Sequence, residues 1–98
     1  MRIVAVTACP TGIAHTYMAA DELMREAPKL GIKIKVETQG ALGIERPLSS
    51  REIAQADIIL IVSDIDIAHF DRFTGRKMMH VSIEDVLLNA KKVLSACY

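Results

Sequence analysis

Cys9 is the residue of this chain best placed to do chemistry. It follows a run of apolar residues, and Pro10 and Gly12 come soon after it, before a segment with helical periodicity. The start of a helix has backbone N–H groups without partners and the positive end of the helix dipole. Both favour a bound anion, and they favour a thiolate over a thiol. The order of these residues therefore predicts a nucleophilic cysteine in a loop that can hold a phosphate.

The loop differs from three known kinds of phosphate site. It lacks the Gly-Lys-Ser or Gly-Lys-Thr ending of a nucleotide-binding P-loop. A flavin site is compatible with Thr11, Gly12 and Thr16, but two Tyr, two Phe and no Trp leave few rings to stack on a flavin. A cysteine phosphatase needs an arginine where this chain has His15, six residues after Cys9. Because histidine cannot hold a phosphoryl group in the bidentate way of arginine, relay to another acceptor is expected rather than hydrolysis.

Strands and helices alternate along the chain, which predicts an α/β fold with a parallel sheet. Lys33 and Lys35 alternate with apolar residues in the second strand, so that strand is expected at a sheet edge. Pro28 is expected to kink or stop the first helix. Ser49 and Ser82 each begin a capping pattern before a helix. The predicted strands are residues 2–7, 32–36, 58–62 and 77–81. The first two predicted helices are residues 15–27 and 49–56. A last helix is predicted from an apolar stripe formed by Val86, Leu87, Ala90, Val93, Leu94 and Cys97.

Right-handed crossovers between these strands predict an open parallel sheet of four strands in the order 2-1-3-4, with helices on both faces as in Rossmann-like folds. Strand order reverses between the first and third strands, and open α/β sheets bind ligands at that point, beyond the carboxyl ends of the strands. Cys9 lies there by topology. Residues 37–40 and 63–66, which follow the second and third strands, are expected beside it.

The other reactive side chains have less informative positions. Cys97 falls on the apolar stripe of the last helix and is expected in the core. His15 is an acid-base group, a phosphate ligand or a polar helix terminus. Asp64 and Asp66 are catalytic acids or, more commonly for carboxylates after a strand, residues that cap or solvate a loop. His69 and His80 fit no ligand spacing, and no metal site is expected.

Composition limits the class of protein further. The 98 residues are 51% hydrophobic and carry equal numbers of basic and acidic residues, which predicts a single globular domain over residues 1–98 and argues against nucleic-acid binding. No apolar run approaches the roughly 18 to 20 residues that span a bilayer, and the amino terminus does not read as a signal peptide. A cytoplasmic location with two separate thiols is expected.

Three motifs in order carry a resemblance to a known family. Residues 9–16, Cys-Pro-Thr-Gly-Ile-Ala-His-Thr, followed by Met18-Ala19-Ala20, resemble the phosphorylation-site motif of fructose-specific enzyme IIB of the bacterial phosphoenolpyruvate-dependent sugar phosphotransferase system. Residues 36–40, Val-Glu-Thr-Gln-Gly, resemble its second signature, and Arg72-Phe73-x-Gly75 with a following basic residue resembles its third. Arg76, where lysine is frequent, and Pro28 depart from the family pattern.

The resemblance implies a phosphotransferase without a cofactor. Cys9 would accept a phosphoryl group from a phosphohistidine of the IIA component and pass it to fructose or a similar sugar held by the membrane component IIC, at the inner face of the membrane. The site is then expected to be open on the surface, with Arg72 and Phe73 either on its rim or bracing the fold. The residues expected to surround the phosphate are Pro10, Thr11, Gly12, Ile13, Ala14, His15 and Thr16.

Two other functions remain open from the sequence. A cysteine phosphatase or arsenate reductase would use the same kind of loop, although the missing arginine argues against it. A regulatory module with a similar fold would use phosphorylation of Cys9 as a signal. Neither the sugar nor the oligomeric state follows from the sequence, and mannose-type substrates are alternatives to fructose.

Overall fold

The computed structural model describes residues 1–10 and 14–97, so that Thr11, Gly12, Ile13 and Tyr98 lie outside the described residues. Strands and helices alternate as predicted. The strands are β1 (Arg2–Ala8), β2 (Lys33–Gly40), β3 (Gly43–Glu45), β4 (Ile58–Ser63) and β5 (Met78–Val81). The helices are α1 (Ala14–Glu26), α2 (Ser50–Gln55) and α3 (Ile83–Ser95), with short 3-10 helices at Pro28–Leu30 and Phe70–Phe73.

The strands form one sheet in the order β3-β2-β1-β4-β5. The predicted order 2-1-3-4 is confirmed for the four parallel strands, which are β2, β1, β4 and β5. The predicted strand count is wrong, because β3 pairs with β2 in the antiparallel direction and takes the edge that β2 was expected to occupy. All three residues of β3 are exposed, so no alternation of buried and exposed side chains marks this strand in the sequence.

The register of the sheet brings three chain segments to one edge. Ala8, the last residue of β1, lies opposite Gln39 of β2 on one side and Ser63 of β4 on the other. Because all three strands run in the same direction, the segments that follow them leave the sheet side by side. We call this side of the sheet the carboxyl edge, and Cys9 is at its centre.

Each face of the sheet has its own apolar core, since successive side chains of a strand point to opposite faces. Ile3, Ala5 and Cys9 pack with residues of α1 and α3 on one face. Val4, Val6 and Ala8 pack on the other face, with residues from α2 and the long connections. We call these the α1/α3 face and the α2 face. Cys9 is therefore on the face that α1 covers.

The helix boundaries follow the predicted signals closely. Helix α1 ends before Pro28, which begins a 3-10 turn closed by Gly31 in the left-handed conformation. Ser49 and Ser82 both make complete capping boxes. Helix α3 is interrupted at Asn89, whose side-chain oxygen accepts a hydrogen bond from the Lys92 backbone N–H. Among residues 1–10 and 14–97, no helix has the length and apolar character needed to cross a membrane.

The capping box of α2 allows a direct stability test. Replacing Ser49 by Ala removes the oxygen that accepts from the Glu52 backbone N–H at 3.1 Å. We expect a loss of about 1 kcal/mol in the free energy of unfolding, measured by urea denaturation. Ser50→Ala is the control, because Ser50 is exposed and is the first residue of the helix, next to the cap. Equal losses for the two variants would contradict the capping assignment.

Candidate functional site

Cys9 lies immediately after β1, against the first turns of α1. Thr16 donates a hydrogen bond from its side-chain hydroxyl to Cys9 Sγ at 3.0 Å. The backbone carbonyl of Thr16 accepts a hydrogen bond from the Thr7 hydroxyl at 3.1 Å, and Thr16 is fully buried. Thr16 therefore joins the end of β1 to the start of α1. A hydroxyl that donates to sulfur also favours negative charge there, as the predicted thiolate requires.

The exposure of Cys9 differs from the expectation. The site was expected to be open on the surface, but Cys9 itself is buried, with 6% of the residue exposed, whereas Pro10, Ala14 and His15 are exposed. The physical reason is its side of the sheet, because Cys9 points to the α1/α3 face and joins the core there. Little of the Cys9 residue is therefore exposed to a reaction partner.

The other predicted phosphate-binding residues fall into three groups. Thr16 is beside the sulfur, as described above. Pro10, Ala14 and His15 are exposed, and Ala14 begins helix α1 one residue earlier than predicted. The first four N–H groups of an α-helix have no partner within the helix, so residues 14–17 present such groups at the carboxyl edge. The predictions for Thr11, Gly12 and Ile13 lie outside the described residues.

A buried carboxylate fixes the end of β2. Glu37 is fully buried and accepts two hydrogen bonds from Arg72, at 2.7 and 2.5 Å. It also accepts one from the Gln39 side-chain amide at 2.8 Å and one from the Leu48 backbone N–H at 2.9 Å. Burial by itself would raise the pKa of Glu37, but these donors outweigh it and hold the pKa below its ordinary value. We call this group the Glu37–Arg72 brace.

The brace lies on the other side of the sheet from the sulfur. Glu37 is opposite Val6 in the register, and both side chains belong to the α2 face, whereas Cys9 belongs to the α1/α3 face. The Arg72 guanidinium also lies over the ring of Phe73, 4.6 Å from its centre, and Phe73 is fully buried. The prediction that Arg72 and Phe73 brace the fold is therefore confirmed, and a place on the rim is wrong for Phe73, which is fully buried.

Gln39 holds the connection that follows β4. Its side-chain oxygen accepts from the Ala68 backbone N–H at 2.8 Å, and its side-chain nitrogen donates to the Ala68 carbonyl at 3.0 Å. Gln39 therefore fixes the connection after β4, and Thr38 beside it is buried. The sequence did not reveal Ala68 as the partner, because 29 residues separate the two positions.

The segment after β4 is folded back on itself. Ser63 donates from its hydroxyl to the Ile65 carbonyl at 2.5 Å and accepts from the Ile65 N–H at 3.0 Å. His80 places Nε2 2.9 Å from the Ser63 carbonyl. Asp64 and Asp66 are exposed and make no ion pair with any residue in the described ranges. This favours a solvated loop over catalytic acids.

Cys97 is a core residue, as predicted. Only 2% of it is exposed, and its Sγ donates weakly to the Val93 carbonyl at 3.5 Å. Burial raises the pKa of the Cys97 thiol. Cys9 and Cys97, which both lie in the described ranges, form no disulfide with each other.

These features define an α/β domain with a parallel sheet. Cys9, which accepts a hydrogen bond from Thr16, lies at the switch point of this sheet, where the strand order reverses. A family profile described as "PTS system, Lactose/Cellobiose specific IIB subunit" matches residues 4–96. The "PTS system fructose-like EIIB component 2" of Escherichia coli K12 is 44% identical over 94 residues, which cover 96% of this chain and 89% of that protein. The chain therefore belongs to the IIB family of the sugar phosphotransferase system, whose members are sugar phosphotransferases.

Longer relatives and solved structures agree with this assignment. The "PTS system fructose-specific EIIB'BC component" of Vibrio cholerae is 46% identical over 97 residues, or 99% of this chain and 17% of that protein. A crystal structure of a domain from a fructose-specific IIABC component of Borrelia burgdorferi has a TM-score of 0.91 and 43% identity, covering 98% of this chain and 91% of that one. The family profile names lactose and cellobiose, whereas these relatives are named for fructose, so the family alone does not identify the sugar.

The Glu37–Arg72 brace predicts a pH-dependent stability. Arg72→Gln leaves a buried carboxylate without its cation, and we expect it to cost about 3 to 5 kcal/mol of unfolding free energy at pH 7. The pKa of Glu37 is lower in the folded protein than in the unfolded chain, where it is about 4.3. Ionised Glu37 therefore stabilises the wild type at pH values above the unfolded pKa, and this stabilisation is lost as the pH falls through the folded pKa. The difference between wild type and variant should therefore shrink below about pH 5.

Arg25→Gln is the control for this measurement. Arg25 pairs with Glu22 and Glu26 on the exposed surface of α1, where such pairs contribute about 0 to 1 kcal/mol. Urea unfolding of both variants from pH 7 to pH 4 checks the prediction. A difference between wild type and Arg72→Gln that stays constant with pH would contradict it.

Proposed function

We propose that this chain is the phosphoryl carrier of a fructose-type phosphotransferase system and that Cys9 carries the phosphoryl group. The donor is a phosphohistidine of the IIA component. The acceptor is fructose or a fructose-like sugar held by the membrane component IIC, on the inner side of the membrane. The observation that carries this proposal is the hydrogen bond from Thr16 to Cys9 Sγ at the switch point of the sheet.

Two displacements at phosphorus make up the reaction. In the first, the Cys9 thiolate attacks phosphorus, the S–P bond forms and the P–N bond of phosphohistidine breaks, so that imidazole leaves. In the second, a sugar hydroxyl oxygen attacks phosphorus and loses its proton to a base on the acceptor side. The S–P bond then breaks and the thiolate forms again. No net oxidation takes place, and no cofactor is required.

Phosphoryl transfer needs positioning and charge stabilisation more than covalent help from the protein. The N–H groups at the start of α1 can supply both, because they are fixed before the reaction begins and point toward the carboxyl edge. Pro10, Thr11, Gly12, Ile13, Ala14, His15 and Thr16 are proposed to surround the phosphate. Within this set, Thr16 changes from a donor to sulfur into a donor to the S-phosphoryl group.

The position of Arg72 argues against a phosphatase. A cysteine phosphatase holds the phosphoryl group with a guanidinium through both steps, and here the sixth residue after Cys9 is His15. Both end nitrogens of Arg72 bond Glu37 on the α2 face, away from the sulfur. A phosphocysteine formed at this site therefore lacks help from Arg72 for attack by water.

Relatives with fused components support the choice of acceptor. The names EIIB'BC and "Fructose-like PTS system EIIBC component" place B and C parts in one component. A B domain joined to a C domain is suited to pass its phosphoryl group there. We propose the same acceptor for this chain, with residues 1–98 acting as one domain.

Mass spectrometry after incubation with phosphorylated IIA tests the acceptor residue. Wild-type protein is expected to gain one phosphoryl group and Cys9→Ser none. Cys97→Ser is the matched control, because Cys97 is a core thiol, and its gain should equal that of the wild type. Equal labelling of wild type and Cys9→Ser would place the acceptor elsewhere and end the proposal.

The role of the Thr16 hydroxyl is tested by two substitutions of similar size. Thr16→Val removes the donor to sulfur, and we expect the rate of phosphoryl transfer from IIA to fall at least about tenfold, since hydrogen bonds to charged groups are the strong ones. Thr16→Ser retains the hydroxyl and should restore most of the rate. Quenched-flow labelling measures both. Equal rates for Thr16→Val and wild type would remove this residue from the site.

A further inference from the structure

Strand β5 forms an open side of the sheet. It comprises Met78–Val81 and pairs with β4, and no strand in the described part of the chain pairs with its other side. Edge strands of natural proteins are usually protected from pairing with other chains by a charged side chain, a proline or a bulge. The residues of β5 are Met, Met, His and Val, so the strand contains no proline, lysine, arginine or carboxylate. Its outer side is therefore open to a further strand.

The outward backbone groups of β5 belong to two residues. The Ile59 N–H donates to the Lys77 carbonyl at 2.9 Å, so Lys77 directs its backbone carbonyl toward β4. In a strand the backbone groups of alternate residues point to the same side, so those of Met79 also point toward β4. Met78 and His80 therefore present their N–H and C=O groups to the outer side.

The N–H groups at both ends of this outer side already have partners. The Arg76 N–H donates to the Phe73 carbonyl at 3.0 Å. The Ser82 N–H donates to the Asp85 carboxylate at 3.2 Å. A strand that pairs with β5 therefore has only the two residues between these ends available for a full exchange of hydrogen bonds.

A second copy of β5 fits this side in one register. Two copies related by a two-fold axis present the same strand to each other, in antiparallel directions. With Met79 at the axis, Met78 of each copy lies opposite His80 of the other, and each such pair exchanges two hydrogen bonds. With Met78 or His80 at the axis instead, the next bonded pair would need the N–H of Arg76 or Ser82, and both of these are already used.

This register also covers an apolar groove between β5 and α3. The groove has a volume of about 380 Å³ and is lined by Met79 of the strand and by Leu88 and Asn89 of the helix, among others. Leu88 is 76% exposed. An axis through Met79 that is perpendicular to the sheet keeps the two α3 helices on the same face, side by side and antiparallel. Leu88 of each copy then lies beside the groove of the other, where burial of its side chain is favourable.

The charges along the groove match their own reverse. Asp85 in the first turn of α3 and Lys92 in its last turn both line the groove. Neither makes an ion pair with another residue within residues 1–10 and 14–97. Because the two-fold axis reverses the direction of α3, Asp85 of one copy faces Lys92 of the other. This complementarity favours a second copy over an unrelated partner.

We infer that the chain forms a two-fold symmetric dimer in which the two β5 strands pair in the antiparallel direction and the two α3 helices pack side by side. The contact surface is one short strand and one side of one helix, so a dissociation constant of about 10 μM to 1 mM is expected. Strand β4 separates β5 from β1, so the contact lies away from Cys9. The inference goes beyond the proposed function and does not depend on it.

Sedimentation equilibrium of the full chain, from about 1 μM to about 1 mM, tests the dimer. The average mass of the wild type should rise from that of one chain toward that of two. Leu88→Ala should weaken association about tenfold at an unchanged melting temperature. Leu42→Ala is the matched control, because Leu42 is 78% exposed and lies in the turn after β2, far from β5. A wild type that stays monomeric throughout, or equal effects of the two variants, would overturn the inference.

Disulfide trapping tests the register. At the axis the two Met79 Cα atoms would be about 4.5 Å apart, within the range that a disulfide spans, so mild oxidation should cross-link Met79→Cys between copies. In Met78→Cys the two substituted positions are diagonal neighbours more than about 7 Å apart, and this variant should not cross-link. Mass spectrometry of the linked peptides measures both.

The comparison separates pairing from random collision. Met78 is 39% exposed and Met79 is partly buried, so collisions would cross-link Met78→Cys at least as fast as Met79→Cys. Faster cross-linking of Met79→Cys supports the inferred pairing. Equal rates, or faster cross-linking of Met78→Cys, would overturn it.

Charge reversal at Lys92 tests the contact between the two helices. Lys92→Glu places a carboxylate opposite Asp85 of the other copy, and we expect the association constant at low salt to fall at least about threefold. Lys91→Glu is the control, because Lys91 is also exposed but does not line the groove. The difference between the two variants should shrink as salt rises to about 1 M. Equal association constants for the two variants at low salt would contradict the antiparallel arrangement of the helices.

Discussion

The hydrogen bonds of Thr16 are the interactions on which the geometry of the site depends. One residue uses its backbone carbonyl to hold Thr7 of β1 and its hydroxyl to hold Cys9 Sγ. Because Thr16 is fully buried, water does not compete for either bond. The start of α1 is therefore set relative to the end of β1, and the first N–H groups of the helix, which have no partner within the helix, are set relative to the sulfur at the same time.

The two faces of the sheet carry different functional groups of the domain. The Glu37–Arg72 brace and the Gln39–Ala68 bonds stabilise the strand ends from the α2 face, while the sulfur and Thr16 lie on the α1/α3 face. A charged group next to the sulfur would alter its chemistry directly. A brace across the sheet fixes the same strand ends without placing a cation beside the sulfur, which suits a carrier better than a hydrolase.

Local signals in the sequence predicted most of the fold, and long-range pairings account for what they missed. The capping boxes at Ser49 and Ser82, the helix stop at Pro28 and the core position of Cys97 each depend on a few neighbouring residues. Strand β3 is short and exposed, so only its pairing with β2 defines it. The bonds between Glu37 and Arg72 join positions 35 residues apart, and no local pattern marks Glu37 as buried.

The low exposure of Cys9 did not follow from the sequence, and it has a physical consequence for a carrier. The sequence placed the cysteine after the strand but could not tell which face its side chain takes, because the alternation of side chains ends where the strand does. Only 6% of the Cys9 residue is exposed, which limits the access of water to its side chain. In the proposed function, the S-phosphoryl group has to persist between the departure of the donor and the arrival of the acceptor. Limited access for water slows its loss by hydrolysis during that interval.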